Sequence, residues 1–369
     1  MKIDQSKKKI VIDARMINSS GIGVYLKNIL PSIIDNFHVV LLGNKKELSN
    51  FPWSDKVSII EFSAKIYSIL EQILYPFVIP KTELVWFPHY NIPFFYTSSK
   101  KILTTIHDVN HLANKKDLSY IKWKYAKILI TKAVRKSDRL ITISEHSRKE
   151  LIKFTKVKRD KISIISNGVD FKLFNTKVRQ ISKIKNIQNY ILYVGNVKPH
   201  KNLITLLKAY QILPDQFKEK FKLVILGKKE GFITPDLEVF NFIEENKLLK
   251  HIIFTGYIKD EEVPSVYQSA SLFVFPSIYE GFGLPVLEAM ASGIPVLTSN
   301  SSSLPEVGGE AASYFEPMDH MQLSTKISEI ILNEELKSVL IKKGYQQAKK
   351  FSWEPAQKKH VETIRLLLD

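Results

Sequence analysis

"SLFVFPSIYEGFGLPVLEAMASGIPV", Ser271 to Val296, reads as a strand, a turn, a helix and the start of a second strand. The run "SLFVF" is apolar almost throughout, as a strand buried on both faces of a parallel sheet must be. "GFG" breaks it, and Pro285 suits the first turn of a helix, where its missing N–H has no partner to lose. Gly293 suits that helix's end. A strand, a glycine turn and a helix start aim backbone N–H groups at one point, and the helix dipole adds positive field, so the turn is a prepared anion site. Gly281 and Gly283 leave room for a ligand to approach the backbone. Glu288, one turn into the helix, can accept hydrogen bonds from ligand hydroxyls, and Glu280 stands just before the turn. Taken singly, each glutamate is better explained by a structural role, Glu288 complementing the helix N-terminus and Glu280 capping a turn.

Working outward, strand-like runs alternate with helical patterns along all 369 residues, the signature of parallel sheets covered on both faces. Strands are expected at Lys9–Asp13, His38–Leu42, Leu84–Phe87, Ile102–His107, Arg139–Ile143 and Lys161–Ile164, then at Tyr190–Val194, Lys222–Leu226, Ile252–Thr255, Ser271–Phe275 and Pro295–Thr298. The length exceeds what one core usually serves. Two doubly wound α/β domains are therefore expected, 1–175 and 189–352, joined by a polar, aperiodic linker at 176–188. The closing segment 353–369 has Pro355 near its start and apolar residues at helical spacing, and is expected to be a helix completing the first domain. Open α/β sheets bind ligands at the carboxyl ends of their strands, which places the site between the domains.

Composition narrows the function classes. The formal charge is +17, from 54 basic against 37 acidic residues, and such a surface attracts polyanions. Only seven of the basic residues are arginine, whereas nucleic-acid readers lean on arginine forks. The lysine excess fits a compositional habit plus a membrane-facing patch better than a nucleic-acid partner. There is no cysteine, so neither disulfide nor thiolate metal site exists. The first residues hold only a short apolar run, too short for a signal sequence or membrane span, so a cytoplasmic location is expected. The apolar window Ile66–Pro80 contains Glu71 and Gln72 and reads as an amphipathic or buried helix. The segment Ser119–Ser137 winds as a helix with Trp123, Ala126, Ile130, Ala133 and Val134 along a core face. Its other side mixes Ile121, Tyr125 and Ile128 with Lys124, Lys132, Arg135 and Lys136, which suits an anionic membrane surface and, equally, a solvated basic face. "GIG" at Gly21–Gly23 lacks the third glycine of a dinucleotide fingerprint, since Leu26 holds that position. The second strand ends in "VVLLGNKKE" without a ribose-reading acid, and dehydrogenase chemistry is disfavoured.

The motif E-G-F-G-L-P-V-L-E-A-M-A-S-G-I-P-V does not stand alone. "NGVD" at Asn167–Asp170, "YVGNVKPHKNL" at Tyr193–Leu203, "FTGYIKDEEVPSVYQSASLFVFPS" and "SNSSSLPEVGGEAA" surround it, and "IDARMINSSGIGVYLKNIL" and "TTIHDVNHL" stand in the first half. Together, from about residue 10 to about residue 320, they resemble the retaining, nucleotide-sugar-dependent glycosyltransferases with the two-glutamate motif. This is the group 1 or family 4 type, which includes bacterial members of surface-polysaccharide assembly. The resemblance implies the GT-B form of the α/β class, two Rossmann-like doubly wound domains facing a central cleft.

The resemblance also implies roles, position by position. Glu288 would bind the donor's ribose hydroxyls and Glu280 would lie near the transferred sugar. The N–H groups of Gly281, Phe282, Gly283 and Leu284 would face the diphosphate and sugar hydroxyls. Lys201 would neutralise the leaving diphosphate, and His107 would help position the sugar. Backbone at Tyr257 and Ile258 would edge the base, and Gly21 with Gly23 would let the first domain close on the phosphates. Many relatives carry an arginine just after the glycine matched by Gly195; this chain has Asn196, which leaves more of the neutralisation to Lys201, helped by Lys198. Against these roles stand a solvated Lys201 and a core His107 bonded to Asp108.

The family retains anomeric configuration by same-face attack, the departing phosphate helping to deprotonate the acceptor, so no enzyme nucleophile is required. No Asp-x-Asp pair occurs, and neither a metal nor another cofactor is expected. The implied activity is transfer of a hexose, mannose from GDP-mannose, to a glycan or lipid-diphosphate-linked acceptor at the inner face of the plasma membrane. A UDP-sugar donor is the alternative. A non-catalytic basic protein binding nucleic acid or membrane is the rival from another class.

Overall fold

The computed structural model describes residues 7–95, 98–115, 119–177, 184, 187, 189–227 and 237–369. Backbone contacts divide the chain into two compact units, Met1–Asn167 with Trp353–Asp369, and Gly168–Ser352. The second unit therefore begins earlier than the 175/176 boundary expected from sequence. Its helix Phe171–Asn175 sets the Phe174 ring 5.6 Å from that of Tyr267, and Asn175 Nδ2 donates to Ala291 O at 3.3 Å. Of the expected linker 176–188, residues 178–183, 185, 186 and 188 lie outside the described residues.

The first unit is built on seven strands: β1 Lys9–Asp13, β2 His38–Gly43, β3 Ser58–Glu61, β4 Thr82–Phe87, β5 Ser99–Thr105, β6 Arg139–Thr142 and β7 Ile162–Ile164. All neighbours are parallel, in the order β3-β2-β1-β4-β5-β6-β7, with Lys9 opposite His38 and Ile10 opposite Leu84. The central strands are buried on both faces, which is why they read as unbroken apolar runs. β5 stops at Thr105, so His107 lies two residues beyond the strand that was expected to contain it.

The helix Trp353–Leu368 packs on the helix Ser20–Asn36. Gln357 Nε2 donates to Asn28 O at 2.7 Å, and Arg365 donates to Asn36 Oδ1 at 2.7 Å. Beneath it runs a buried chain of polar groups. Trp86 Nε1 donates to Thr105 Oγ1 at 3.0 Å, Thr105 Oγ1 meets Tyr25 OH at 3.1 Å, and Tyr25 OH meets His360 Nε2 at 2.5 Å. His360 Nδ1 lies 2.7 Å from Ala356 O, which can only accept, so Nδ1 carries the proton and Nε2 accepts from Tyr25. Burial lowers the His360 pKa to about 4, which keeps the ring neutral.

The loop after β1 is held by charge. Arg15 Nη2 lies 2.6 Å from Asp13 Oδ2 and 2.6 Å from Glu71 Oε1, and the guanidinium sits 4.2 Å over the Phe62 ring. Glu71 also accepts from Asn91 Nδ2 at 2.7 Å and from the Tyr67 N–H at 2.9 Å. The window Ile66–Pro80 does form a helix, Ile69–Val78, and it turns Glu71 into the protein. In the helix Tyr120–Lys136, Ala126, Leu129, Ile130, Ala133 and Val134 are buried. Trp123, expected on that core face, instead lines a surface groove, with Lys115 Nζ 4.7 Å and Lys127 Nζ 5.1 Å from its ring.

The second unit has six strands: β8 Tyr190–Val194, β9 Lys222–Leu226, β10 Ile252–Phe254, β11 Leu272–Phe275, β12 Val296–Ser299 and β13 Ser313–Phe315. They are all parallel, in the order β10-β9-β8-β11-β12-β13. The two strands not expected from sequence, β3 and β13, are sheet edges of four and three residues.

All four tryptophans, Trp53, Trp86, Trp123 and Trp353, lie in the first unit, so intrinsic tryptophan fluorescence reports its unfolding alone. Glu71→Ala leaves Arg15 short of one buried partner and is expected to destabilise this unit by about 3–5 kcal/mol in urea titration. An unchanged midpoint and slope would show that the ion cluster does not hold the β1 loop.

Candidate active site

In the second unit β8 and β11 lie side by side, but the chain leaves β8 toward β9 on one side and leaves β11 toward β12 on the other. The loops following these two strands diverge and open a crevice at their carboxyl ends, the place where open α/β sheets bind ligands. From β8 the chain runs through Gly195 and Asn196 to a single turn at Pro199–Lys201, then into the helix Leu203–Gln211. From β11 it runs through Glu280 and Gly283 into the helix Leu284–Ala291.

The two loops meet at an ion pair. Lys201 Nζ lies 2.6 Å from Glu280 Oε1, with side chains 19% and 13% exposed. Asn202 ties the same loops from beneath, since its buried Nδ2 donates to Pro276 O at 2.9 Å and to Pro317 O at 2.6 Å. It does so from a left-handed backbone, φ +55°, a conformation asparagine tolerates better than most residues. The Ile278 N–H donates to His200 O at 2.8 Å and completes the tie.

The turn "EGFG" is held from behind by a row of hydroxyls on the segment after β12. Ser299 Oγ donates to Ser277 O at 2.5 Å, Ser301 Oγ to Ile278 O at 2.5 Å, and Ser303 Oγ to both Glu280 O at 2.9 Å and Phe282 O at 2.7 Å. In return the Glu280 N–H donates to Ser302 Oγ at 2.9 Å. Ser302 has φ +54°, a strained conformation for a residue with a side chain. Gly283 has φ +114°, and a Cβ there would come 2.8 Å from Leu304 Cδ2. That glycine is required by the fold of the turn as well as by any ligand. With carbonyls turned to the hydroxyls, the loop can direct N–H groups at the helix start toward the crevice.

Glu288 keeps part of its surface, but its carboxyl group is enclosed beside Tyr267, whose OH donates to Oε2 at 2.7 Å. Enclosure pushes the Glu288 pKa up to about 7, against the opposing effect of the tyrosine bond. One carboxylate oxygen is thus spoken for, and the other faces no side-chain donor among the described residues. Tyr257 and Ile258 follow β10 at the same end of the sheet, the former exposed and the latter buried. Asn196 O accepts from Tyr193 OH at 3.1 Å.

Three predicted site residues lie in the first unit. Gly21 opens the helix Ser20–Asn36 with no atom within 4 Å of a built Cβ, whereas a Cβ on Gly23 would sit 2.4 Å from Ile17 O. Gly23 is therefore demanded by the chain itself. His107 Nε2 donates to Pro88 O at 3.0 Å, and its ring stands edge-on to Tyr25 at 4.9 Å. Burial lowers its pKa, so it is neutral. Asp108, considered from sequence as its partner, instead accepts from the Asn110 N–H at 2.9 Å.

Sequence reasoning missed Tyr267, Asn202 and the serines of 299–303. All stand inside stretches that were read as motif text, but no spacing rule points a hydroxyl or an amide at an oxygen 21 to 115 residues away.

Two family models match the chain, glycosyl transferases group 1 over residues 174–347 and glycosyltransferase family 4 over residues 55–173. The chain is 30% identical over 286 residues to an O-antigen chain mannosyltransferase B from Escherichia coli, covering 75% of this chain and 74% of that protein. It is also 30% identical over 266 residues to the serotype-specific mannosyltransferase WbdA from Escherichia coli, there covering 69% of this chain but only 32% of the longer relative. Its fold matches the crystal structure of Anabaena Alr3699/HepE in complex with UDP-glucose, with TM-score 0.77 at 17% identity over 97% of this chain and 99% of that one. A crevice at a strand-order reversal, a lysine–glutamate pair across it and these matches to both halves lead to one conclusion: the chain belongs to the group 1 glycosyltransferases.

Proposed function

We propose that this glycosyltransferase transfers mannose from GDP-mannose to a glycan or lipid-diphosphate-linked acceptor in surface-polysaccharide assembly, with retention of configuration and without a metal. The naming of its 30%-identical relatives as O-antigen and serotype-specific mannosyltransferases supports the sugar and the pathway class. The observation that carries the chemistry is the Lys201–Glu280 pair at the switch point.

In the proposed reaction the bond from the sugar's anomeric carbon to the diphosphate oxygen breaks. The acceptor oxygen bonds to that carbon on the same face, and its proton passes to the departing phosphate. Negative charge grows on the diphosphate as the sugar becomes oxocarbenium-like. Lys201 and the helix start would offset that charge from fixed positions, which is where electrostatic catalysis gains most. Lys201 has three N–H donors. It can hold Glu280 with one and a phosphate oxygen with another, while the second oxygen of Glu280 accepts from a sugar hydroxyl. In this reading the positive charge that meets the diphosphate comes from Lys201, helped by Lys198, and from the helix start. Glu288 would receive the ribose hydroxyls, with Tyr267 holding its other oxygen. His107, Gly21 and Gly23 are proposed for the sugar and phosphates, and backbone at Tyr257 and Ile258 for the base. The basic face of helix Tyr120–Lys136 would contact anionic lipid at the inner face of the membrane. Among the described residues, no helix is long and apolar enough to cross one.

Two predictions test the donor site. Ribose hydroxyls donate more strongly to an ionised Glu288 than to the protonated acid, so nucleotide affinity should rise with pH through about 7. Between pH 6 and pH 8 calorimetry with GDP should show a gain of up to about tenfold that Glu288→Gln removes. A pH profile shared by wild type and variant would take Glu288 out of the ribose site. If Lys201 acts as charge develops, Lys201→Ala should lower turnover by about 10²–10³ with a smaller change in donor binding. Wild-type transfer from GDP-mannose should continue in excess EDTA. Transfer abolished by chelator, or a fully active lysine variant, would overturn the metal-free mechanism, and transfer from UDP-sugars alone would replace the donor.

A further inference from the structure

The helix Ile69–Val78 is inside out. Its charged and amide residues, Glu71 and Gln72, are 0% and 6% exposed, while Ile69, Leu70, Ile73 and Phe77 are 81%, 56%, 51% and 82% exposed. Those four positions fall within an arc of about 100° on a helical wheel, opposite Glu71, Gln72 and Tyr75. The cause lies beneath the helix. Glu71 pairs with Arg15 at 2.6 Å, and Gln72 Oε1 accepts from the Phe94 N–H at 2.8 Å. Breaking that pairing would leave Glu71 buried without its cation and Arg15 with Asp13 as its one carboxylate, so the helix is held with Ile69, Leu70, Ile73 and Phe77 in water. Scattered exposed apolar residues need no explanation, but a contiguous face marks an interaction surface.

What surrounds this face indicates the occupant. The Phe94–Phe95 turn joins it to the helix Tyr120–Lys136, since Lys132 Nζ donates to Phe94 O at 2.6 Å and Lys136 Nζ to Phe95 O at 3.1 Å. Phe95, Tyr120, Ile121 and Ile128 are exposed as well, at 60%, 61%, 79% and 47%. That second helix carries six lysines or arginines and no acid. Its groove of about 800 Å³ is walled by Trp123, Ile128 and Lys132 among others. Apolar side chains flanked by cations with no counter-charge fit the boundary of an anionic bilayer, where the first enter the acyl region and the second meet headgroup phosphates.

We infer that the outward face of helix Ile69–Val78 inserts into an anionic membrane surface, with the basic helix Tyr120–Lys136 held against the headgroups beside it. This rests on the reading of the acceptor as lipid-linked, and it adds an insertion element to the electrostatic contact. Insertion and charge are separable. Flotation of the full-length protein with phosphatidylcholine vesicles, with and without phosphatidylglycerol, should show binding that requires phosphatidylglycerol. Ile69→Ser with Phe77→Ser keeps every charge and should weaken that binding by at least about tenfold. Lys124→Gln with Lys127→Gln and Arg135→Gln should weaken it and remove most of its salt sensitivity. Thermal shift with GDP, run on the same variants, should be unchanged, which separates this inference from the donor site. Failure of the GDP shift in the wild type would strike the donor reading and leave vesicle binding as the measure here. Vesicle binding unaltered by the Ile69 and Phe77 changes would overturn insertion. A wild-type dimer in light scattering that the same changes dissociate would overturn it in favour of a second copy of the chain.

Discussion

The order of strands in the second sheet is the constraint from which the site follows. Because β8 and β11 are neighbours whose connections leave in opposite directions, no crossing helix can cover the point between them, and two loops must face each other there. One loop carries Lys201 and the other Glu280, and their 2.6 Å contact spans the crevice. The pair is mostly out of water, so neither charge could be kept there alone. Asn202 and the hydroxyls of 299–303 then fix the backbone on which those two charges ride. Rigid placement of this kind is what lets a lysine act on charge that appears only as a bond breaks.

The first unit solves the corresponding problem differently. At its own reversal, between β1 and β4, the loop after β1 is anchored by Arg15 between Asp13 and Glu71. Satisfying a buried guanidinium dictates which way the helix Ile69–Val78 faces, and Ile69, Leu70, Ile73 and Phe77 are left outside as a result. Internal electrostatics and an external apolar surface are two sides of one helix.

Much of this was legible in the chain. The parallel sheets follow from apolar runs alternating with helical patterns, and the turn at 280–284 follows from glycines and proline set between a strand and a helix. Lys201 and Glu280 were each named from motif text, but their contact with one another was not, because their 79-residue separation is closed only by the strand order. The edges β3 and β13 went unread, although the equally short edges β7 and β10 were read. Periodicity pointed the face of helix Ile69–Val78 the wrong way, since its wider apolar arc reads as the buried side and only Arg15, far earlier in the chain, draws Glu71 inward. Trp123 fell on the wrong side for a related reason: the 3.6-residue period placed it with the core, while neighbouring lysines hold its ring at the surface.

The central claim is that the paired loops after β8 and β11 receive the nucleotide. Hydrogen–deuterium exchange of the intact protein with and without GDP tests it most directly, because a bound diphosphate slows exchange of the amides that it ties down. The account predicts new protection at residues 195–203 and 276–290, with the edge strands β10 and β13 unaffected. Protection confined to other parts of the chain, with those two loops exchanging as before, would contradict it.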